Sequence, residues 1–327
     1  MKKKFTLKAA LIGYGYWGIN IARTLHETPG IELVTIFDED IERIHEAKKL
    51  YDFTITTSLE EVLRLDIDVL FIATPPATHY AIAKEALLAD KHIFVEKPFT
   101  LDLTQAYELI ELAERRNLKY MVDHIFIYSE PVKYLKKHID EFGDIVYINA
   151  RRINLGLFQY STDVIWDLAV HDLSIIDHLV GLDIKKVSVF KKKYRDFPNE
   201  AIARIDLELE CGIIAAIDVS WLSPVKVREM IIGGTKLSAV YDDTIDKKIK
   251  IYDAGVILEK ELDKNELYHY MVQYKYGDVK TPTLPPNFSL NNAIEHFYDA
   301  VTNDRTPITS KSSILNVTKA LEIISKV

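Results

Sequence analysis

The sequence predicts a two-domain α/β protein, with an N-terminal doubly wound Rossmann domain and a C-terminal α+β domain on a mainly antiparallel sheet. Three observations support this fold class. The 327 residues exceed the roughly 250–300 that a single hydrophobic core accommodates. Up to about residue 125, short apolar runs alternate with amphipathic helical stretches, and after it β-rich runs predominate. We therefore expect one domain at residues 1–125 and a second at 126–327.

The N-terminal strands are predicted from short runs of apolar and β-branched residues. A helical pattern separates most consecutive runs, which is typical of βαβ units and of a parallel sheet covered on both faces. The runs are Leu7–Ile12, Ile31–Phe37, Phe53–Thr56, Val69–Ala73, His92–Val95 and Lys119–Val122.

The second half contains more strands than helices. Helical patterns near Pro131–Phe142 and Val164–Leu179 accompany the β-rich runs, so we expect an antiparallel sheet with helices on one face. An extended, Pro-rich stretch at Lys280–Pro286 precedes helical patterns at Asn292–Thr302 and Ser312–Ile324. The β-rich runs are Ile145–Asn154, Lys186–Phe190, Ala201–Glu210, Ile213–Val219 and Lys226–Ile232.

Composition excludes several classes of protein. Lys and Arg total 41 against 49 Asp and Glu, a formal net charge of −8, so we expect no nucleic-acid partner. No apolar run reaches the length of a membrane span, and the single Cys211 excludes an intramolecular disulfide framework. Lys8 interrupts the first apolar run, and no small-residue cleavage site follows, which favours a strand over a signal peptide. We expect a cytoplasmic protein without a metal site.

Gly13-Tyr14-Gly15-Tyr16-Trp17-Gly18 follows a predicted strand and opens a helical pattern. In a dinucleotide fingerprint the first Gly permits the turn, the second lets backbone approach the pyrophosphate, and the third packs helix on strand. The helix N-terminus then favours the phosphates. The hexapeptide alone is a weak signal, because glycine-rich turns are common, but its place between strand and helix favours dinucleotide binding.

Asp38 ends the next predicted strand, 20 residues after Gly18. A carboxylate at this position accepts hydrogen bonds from the adenosine ribose and repels a 2′-phosphate. Glu39 and Asp40 follow it, with no Arg directly after, so NAD is favoured over NADP. Alternatively, Asp38 only caps the helix that begins at Ile41, a role compatible with the first.

Two further motifs end strands of the Rossmann domain. Thr74-Pro75-Pro76 follows the run Val69–Ala73, at the carboxyl edge where ligands bind in open α/β sheets. His79 lies in the helix that comes next. His79 alone is more often a surface or capping histidine. Glu96-Lys97-Pro98 follows another strand, and Lys97 is suited to stabilise a developing alkoxide or to take the proton of the hydroxyl that forms it. An exposed ion pair in a loop remains the alternative for Lys97.

Asp167 and His171 share one face of a predicted helix at positions i and i+4. A carboxylate beside an imidazole fixes its tautomer and stabilises the imidazolium that forms when it accepts a proton. A purely structural hydrogen bond explains the pair equally well. His178 continues this face and is interpreted as structural.

These motifs together resemble the Gfo/Idh/MocA oxidoreductases, which include glucose-fructose oxidoreductase and inositol dehydrogenase. The resemblance covers nearly the whole chain, and the combination is far more specific than any single motif. The matching residues are Gly13–Gly18, Thr74-Pro75-Pro76 with His79, Glu96-Lys97-Pro98, and Asp167 with His171.

The resemblance implies roles for the site residues. Lys97 contacts both cofactor and substrate, His171 is the general base, and Asp167 supports it. It also implies an open-faced C-terminal sheet that forms homodimers or homotetramers, and a cis peptide at Lys97–Pro98. We further expect the glycine loop, Asp38, Thr74, Pro75, His79, Glu96 and Lys97 to bind the cofactor, and Lys97, His124, Asn154, Asp167 and His171 to bind substrate.

The stretches Arg151–Gly156 and Val164–Ser174 resemble a nucleotide-sugar subgroup, in which some members oxidise C3 of UDP-N-acetylglucosamine or its uronic acid. The sequence leaves open whether Arg151 or Arg152 meets a diphosphate. The expected function is therefore oxidation of a sugar hydroxyl with NAD, most specifically of a UDP-amino sugar. The alternatives are a dehydrogenase of a free polyol or monosaccharide such as inositol, and a non-catalytic dinucleotide-binding regulator.

Overall fold

The computed structural model describes residues 6–257 and 273–327, which form two compact units. The first unit comprises the chain up to Ser129 together with Phe288–Lys326, and the second comprises Glu130–Asn287. Among the described residues, no helix has both the length and the apolar composition that crossing a bilayer requires.

The helices and strands alternate regularly before Ser129 and become mainly strands afterwards. Up to residue 129 they are β1 (Leu7–Ile12), α1 (Gly18–Glu27), β2 (Ile31–Phe37), α2 (Ile41–Lys48), α3 (Leu59–Arg64), β3 (Val69–Ile72), α4 (Pro76–Leu88), β4 (His92–Val95), α5 (Leu103–Arg115) and β5 (Tyr120–Val122). The later elements are α6 (Glu130–His138), β6 (Ile145–Leu155), α7 (Val170–Val180), β7 (Ile184–Lys193), β8 (Glu200–Leu209), β9 (Ile214–Ser220), β10 (Leu222–Gly234), β11 (Ser238–Asp242), β12 (Ile249–Ile257), β13 (Gln273–Lys280), α8 (Ser289–Thr302) and α9 (Lys311–Lys326).

The first unit contains a parallel five-stranded sheet in the order β2-β1-β3-β4-β5. Its strands are apolar on both faces because helices cover both sides, as the sequence predicted. The chain reverses its direction of progress across the sheet between β1 and β3. The carboxyl ends of these strands therefore form the switch point at which open α/β sheets bind ligands.

Phe53–Thr56, which we predicted as a strand, does not form one. Thr54 makes one parallel bridge to Thr35, and its N–H donates to the carbonyl of Val34 at 2.8 Å. The Thr35 hydroxyl donates a hydrogen bond to the carbonyl oxygen of Thr54 at 2.6 Å. This side-chain hydrogen bond competes with continuation of the ladder.

The last two helices belong to the first unit, whereas we expected all of 126–327 in the second. Phe297 of α8 packs edge-on against Phe71 and Phe94 of the parallel sheet, with ring centroids 6.2 and 5.6 Å away. Before α9, Thr309 exchanges backbone and side-chain hydrogen bonds with Val122 of β5. These contacts bury the apolar face of the helices in the Rossmann core and correct the predicted domain boundary.

The second unit contains an eight-stranded sheet in the order β13-β12-β11-β10-β6-β9-β8-β7. All neighbours are antiparallel except β6 and β9. Along β8 the inward side chains are buried, while intervening residues such as Ile202 are exposed, which is the alternation of a sheet with one open face. The sequence analysis predicted the five strands from β6 to β10 and missed β11, β12 and β13.

Candidate active site

The glycine loop after β1 is folded so tightly that two of its glycines leave no room for a side chain. Gly13 has φ of +93°, and a Cβ there would lie 2.6 Å from the carbonyl oxygen of Ala73. A Cβ on Gly18 would lie 2.0 Å from the carbonyl oxygen of Gly13. Only the absence of a side chain at these two glycines therefore allows the loop and the start of α1 to lie this close to the end of β3.

Gly15 differs from these two glycines, because a Cβ there would meet no described atom closer than Nη1 of Arg43, at 3.7 Å. The fold itself therefore leaves room for a Cβ at Gly15. Close approach of a pyrophosphate to backbone is the reason that a dinucleotide site needs a glycine at this position. The loop thus fits a dinucleotide by its shape as well as by its sequence.

The aromatic residues of the loop have different environments. Tyr14 is 4% exposed and packs into the Rossmann core, while Tyr16 is 82% exposed. Trp17 precedes α1 and packs against the same core, and its buried Nε1 has no hydrogen-bond partner among residues 6–257 and 273–327. The Tyr14 side chain therefore contributes to folding, and only its backbone lies in the loop.

Asp38 follows β2 directly, and each of its carboxylate oxygens accepts a backbone hydrogen bond. Oδ2 accepts from Tyr14 N–H at 2.7 Å, and Oδ1 accepts from Asp40 N–H at 2.9 Å. These bonds fix the carboxylate beside the glycine loop, and each oxygen keeps further acceptor capacity for a ribose hydroxyl. The predicted alternative role is not observed, since Asp40 caps α2 by accepting from Glu42 N–H at 3.1 Å.

Arg43 is a neighbour of Asp38 that the sequence analysis did not identify. The first turn of α2 brings its Nη1 to 3.4 Å from Oδ2 of Asp38. Arg43 lies five positions after Asp38, and only the first turn of α2 brings its side chain back toward the carboxylate, so the residues directly after Asp38 give no sign of it. The position after β2 where we expect the ribose to bind therefore has a carboxylate and a guanidinium side by side.

His79 is fully buried and joins two loops of the sheet edge. Its Nε2 lies 2.8 Å from the carbonyl oxygen of Thr74, and its Nδ1 lies 2.8 Å from that of Pro98. A neutral imidazole has one N–H, so it donates to one of these carbonyls at a time. Burial lowers the pKa of His79, which favours that neutral form. His79 therefore links the loop at Thr74 to the loop at Pro98 through its two ring nitrogens.

The peptide bond between Lys97 and Pro98 is cis, which confirms the expectation from the resemblance. Lys97 is half-buried at the carboxyl end of β4. Its backbone N–H donates to Oε2 of Glu96 at 3.2 Å.

Glu96, Asp123 and His124 form a buried polar group at the carboxyl ends of β4 and β5, and they are 8%, 1% and 2% exposed. Burial and the neighbouring Asp123 raise the pKa of Glu96 well above its usual range. Burial also raises the pKa of Asp123 to about 6. The two carboxyl groups therefore tend to share a proton. Burial lowers the pKa of His124 to about 3, so its ring is neutral.

In the second unit, Asp167 lies in a π-helical turn at Ile165–Ala169 that leads into α7. Such turns are rare in proteins, and those that do occur are often at functional sites. Asp163 starts the turn by accepting hydrogen bonds from the N–H groups of Ile165 and Trp166, at 2.9 and 3.0 Å. Oδ2 of Asp167 accepts a hydrogen bond from Nε1 of Trp221 at 2.9 Å, a partner that the sequence analysis did not find.

His171 is the second residue of α7 and is half-buried. The next residue, Asp172, forms a buried bidentate ion pair with Arg152 of β6, at 2.9 and 2.8 Å. This pair anchors the first turn of α7 to the sheet. Arg152 is therefore committed to the fold, whereas Arg151 is exposed on the open face of the sheet.

Asn154 lies at the end of β6, close to Trp221. A Cβ on Gly156 would lie 2.9 Å from Nδ2 of Asn154 and 3.0 Å from Cδ1 of Trp221. Asn154 and Trp221 thus flank Gly156, and Trp221 in turn contacts Asp167 through its indole N–H.

Comparisons with known proteins agree with this architecture. The model of an oxidoreductase family with an NAD-binding Rossmann fold matches residues 7–124, and that of the GFO/IDH/MocA C-terminal domain matches residues 133–240. The chain belongs to the Gfo/Idh/MocA oxidoreductase family. As a member of this family it has an NAD-binding Rossmann domain, which agrees with the geometry around Gly15 and Asp38.

Two curated relatives in the Gfo/Idh/MocA family have named activities. UDP-N-acetylglucosamine 3-dehydrogenase of Acidithiobacillus ferrooxidans is 33% identical over 189 residues, which are 56% of this chain and 58% of that protein. Inositol 2-dehydrogenase of Salmonella typhimurium is 30% identical over 197 residues, 57% of this chain and 58% of that protein. The matched part thus spans less than two thirds of each relative.

Among solved structures, UDP-N-acetylglucosamine 3-dehydrogenase from Acidithiobacillus ferrooxidans superposes with a TM-score of 0.81 at 25% identity. The match covers 98% of this chain and 97% of that one. The likeness to this Gfo/Idh/MocA protein therefore extends over both units.

Proposed function

We propose that this chain is an NAD-dependent dehydrogenase that oxidises the 3-hydroxyl of UDP-N-acetylglucosamine or a close UDP-amino sugar. The likeness to UDP-N-acetylglucosamine 3-dehydrogenase in both sequence and fold carries this choice of substrate. The presence of Lys97, Asp167 and His171 supports an enzyme rather than a regulator, because a regulator does not require the complete set.

In the proposed reaction His171 accepts the proton of the sugar hydroxyl. Asp167, held by Trp221, stabilises the imidazolium that results. The Lys97 ammonium stabilises the alkoxide as it develops. Bound NAD would supply the hydride acceptor, and the carbon that carries this hydroxyl would become the carbon of a ketone. General base catalysis of this kind contributes about 10²–10⁴-fold.

The cofactor is proposed to bind the first unit through the glycine loop, Asp38, Thr74, Pro75 and the Glu96-Lys97 motif. His79 supports this site through the two carbonyls that it joins. On the substrate side we propose His124 and Asn154 as additional contacts. We also propose that the protein acts in the cytoplasm as a homodimer or homotetramer that uses the open face of its large sheet.

Oxidation of a free polyol is the second candidate, because the relative from Salmonella typhimurium is an inositol 2-dehydrogenase. The experiment incubates the protein and NAD with UDP-sugars, free hexoses, hexosamines and inositols, and follows reduced nicotinamide by absorbance. A coupled aminotransferase or a carbonyl trap removes the keto sugar when its formation is unfavourable. Turnover of inositol or a free hexose without turnover of any UDP-sugar would replace the first candidate with the second.

A further inference from the structure

Four aromatic side chains form a continuous row in the second unit, which we call the aromatic row. Trp221 contacts Phe158 with ring centroids 5.4 Å apart, and Phe158 contacts Phe197 edge-on at 4.8 Å. Phe197 in turn contacts Tyr160 at 4.9 Å. The four rings are thus joined through three consecutive contacts.

One end of the aromatic row is buried at Asp167, and the other end is open to solvent. Trp221 is 1% exposed and donates its indole N–H to Asp167. Tyr160 is 80% exposed, and the side chains of Leu155 at the end of β6 and of Leu157 in the following loop are also exposed. The row therefore leads from a proposed catalytic carboxylate to an accessible aromatic ring.

The loop that carries Tyr160 is held in a fixed conformation. Asn199 donates from its side-chain amide to the carbonyl oxygens of Gln159, Tyr160 and Thr162, at 2.8, 3.1 and 3.0 Å. Gly156 donates its N–H to the carbonyl oxygen of Trp221 at 2.9 Å. A ring presented by a pre-organised loop loses little conformational entropy when it binds a ligand.

The charges beside the aromatic row suit an anionic ligand. The guanidinium of Arg195 lies 5.3 Å from the ring centroid of Tyr194, which itself contacts Phe158 at 6.1 Å. Lys191 interacts electrostatically with Asp163, the residue that starts the π-helical turn. Acidic neighbours are also present, since Glu200 acts on Asp163 as well. Because the whole chain has a net charge of −8, the Arg195 guanidinium beside the exposed Tyr194 ring is opposite in sign to the net charge of the chain.

We propose that the aromatic row is the nucleotide subsite of this protein, in which the base stacks on Tyr160 and Phe197. Lys191 and Arg195 then face the diphosphate, and the sugar extends toward Asp167. This inference rests on the proposed function, because a nucleotide-activated sugar, unlike a free hexose or inositol, has both an aromatic base and a diphosphate. Stacking of a base on an aromatic side chain suits every nucleobase, so the subsite recognises a nucleotide more strongly than a particular base.

The test compares Tyr160→Ala with the wild-type protein, using UDP-N-acetylglucosamine as substrate and UDP as a binding probe. Loss of one base–aromatic contact raises KM and the UDP dissociation constant by about 5- to 150-fold, with a smaller change in kcat. Tyr107→Ala is the matched control, because Tyr107 is 46% exposed on α5 of the other unit. Its KM and UDP affinity are expected to equal those of the wild type.

Three outcomes overturn the proposal, and they separate it from the proposed function. If the wild type turns over the UDP-sugar and Tyr160→Ala does so with an unchanged KM, the nucleotide subsite is excluded and the proposed function is retained. Absence of turnover with every UDP-sugar, combined with turnover of a free sugar, removes the proposed substrate and the subsite together. A Tyr160→Ala variant that has a different mass in light scattering, with unchanged UDP affinity, makes the row a contact between copies of this chain.

Discussion

The indole Nε1 of Trp221 donates a hydrogen bond of 2.9 Å to Oδ2 of Asp167. Trp221 lies between β9 and β10, where its backbone N–H donates to Ala201 and its carbonyl accepts from Gly156. The donor is therefore fixed to the sheet on both sides, and it holds the Asp167 carboxylate in one orientation. A carboxylate with a single orientation is better able to orient a catalytic histidine.

Trp221→Phe keeps most of the buried ring volume and removes the N–H donor. Because the hydrogen bond goes to a charged acceptor, its loss is expected to lower the free energy of unfolding by about 1.5–3 kcal/mol and to lower kcat. Urea denaturation and steady-state kinetics measure the two effects. In an Asp167→Asn background the effect of Trp221→Phe on kcat is expected to shrink, and full additivity of the two losses would contradict a coupled role.

Lys97→Met and His171→Ala are expected to reduce kcat by at least about 10²-fold and to leave NAD affinity within a few-fold. The reason is that groups which act on the transition state affect turnover more than ground-state binding. Kinetics and NAD titration measure both quantities. Asp167→Asn should lose less, because the base survives. Turnover at the wild-type rate in either of the first two variants would exclude that residue from the chemistry.

Asp38 is expected to make NAD bind more tightly than NADP, because its carboxylate repels a 2′-phosphate. Asp38→Ala should reduce the difference in affinity between NAD and NADP, since it removes the repulsion. In the wild type the Arg43 guanidinium lies 3.4 Å from the Asp38 carboxylate, and in the variant it is available to the 2′-phosphate. Calorimetric titration of both cofactors measures the change. The double variant Asp38→Ala with Arg43→Ala is the control and should bind NADP less well than Asp38→Ala alone. Tighter NADP than NAD binding by the wild type would contradict the prediction.

Gly15→Ala is expected to impair NAD binding without loss of stability, whereas Gly18→Ala is expected to destabilise the fold. The open space beside Gly15 accommodates a Cβ, so its replacement leaves the unfolding free energy unchanged or raises it by up to about 1 kcal/mol. The same methyl group should weaken NAD binding by about tenfold or more, because it enters the space for the pyrophosphate. Gly18→Ala should destabilise the cofactor-free protein by about 1–3 kcal/mol, since its Cβ would meet the Gly13 carbonyl. Unchanged NAD affinity in Gly15→Ala would exclude this space as the phosphate site.

The Glu96–Asp123 pair predicts a pH-dependent stability. Burial raises the pKa of Asp123 from 3.8 to about 6, so the folded state binds more protons than the unfolded chain between these values. The contribution of this carboxyl to stability therefore falls as pH rises through that window. Asp123→Asn removes the effect, and between pH 4 and pH 7 it should gain up to about 3 kcal/mol relative to wild type.

Urea denaturation at several pH values tests the stability of Asp123→Asn. Asp66→Asn is the control, because Asp66 is exposed and its pKa is lowered by the hydrogen bond from Lys8. Asp66→Asn should show no such gain as pH rises. Parallel stability curves for Asp123→Asn and wild type would mean that the carboxyl is ionised in the folded protein as freely as in the unfolded chain.

The sequence by itself determined the Rossmann fold and its dinucleotide motifs. The bounds of β1, β2 and β4 match the predicted runs, because strands covered by helices on both faces are predominantly apolar and are bounded by turns. The glycine loop and Asp38 are likewise readable, since their chemistry depends on residues that lie a fixed number of positions apart. The predicted strand at Phe53–Thr56 failed because side-chain hydrogen bonds of neighbouring threonines carry no signal in apolar periodicity.

Tertiary structure alone decided the contacts between residues that are distant in the chain. Phe297 of α8 returns to the parallel sheet, although more than 150 residues separate it from β5, because an amphipathic helix packs wherever an apolar face is left uncovered. Trp221 reaches Asp167 across 54 residues, and Asp123 meets Glu96 through two adjacent strands. No local pattern encodes such pairs, since they depend on strand order and register, which long-range packing sets during folding.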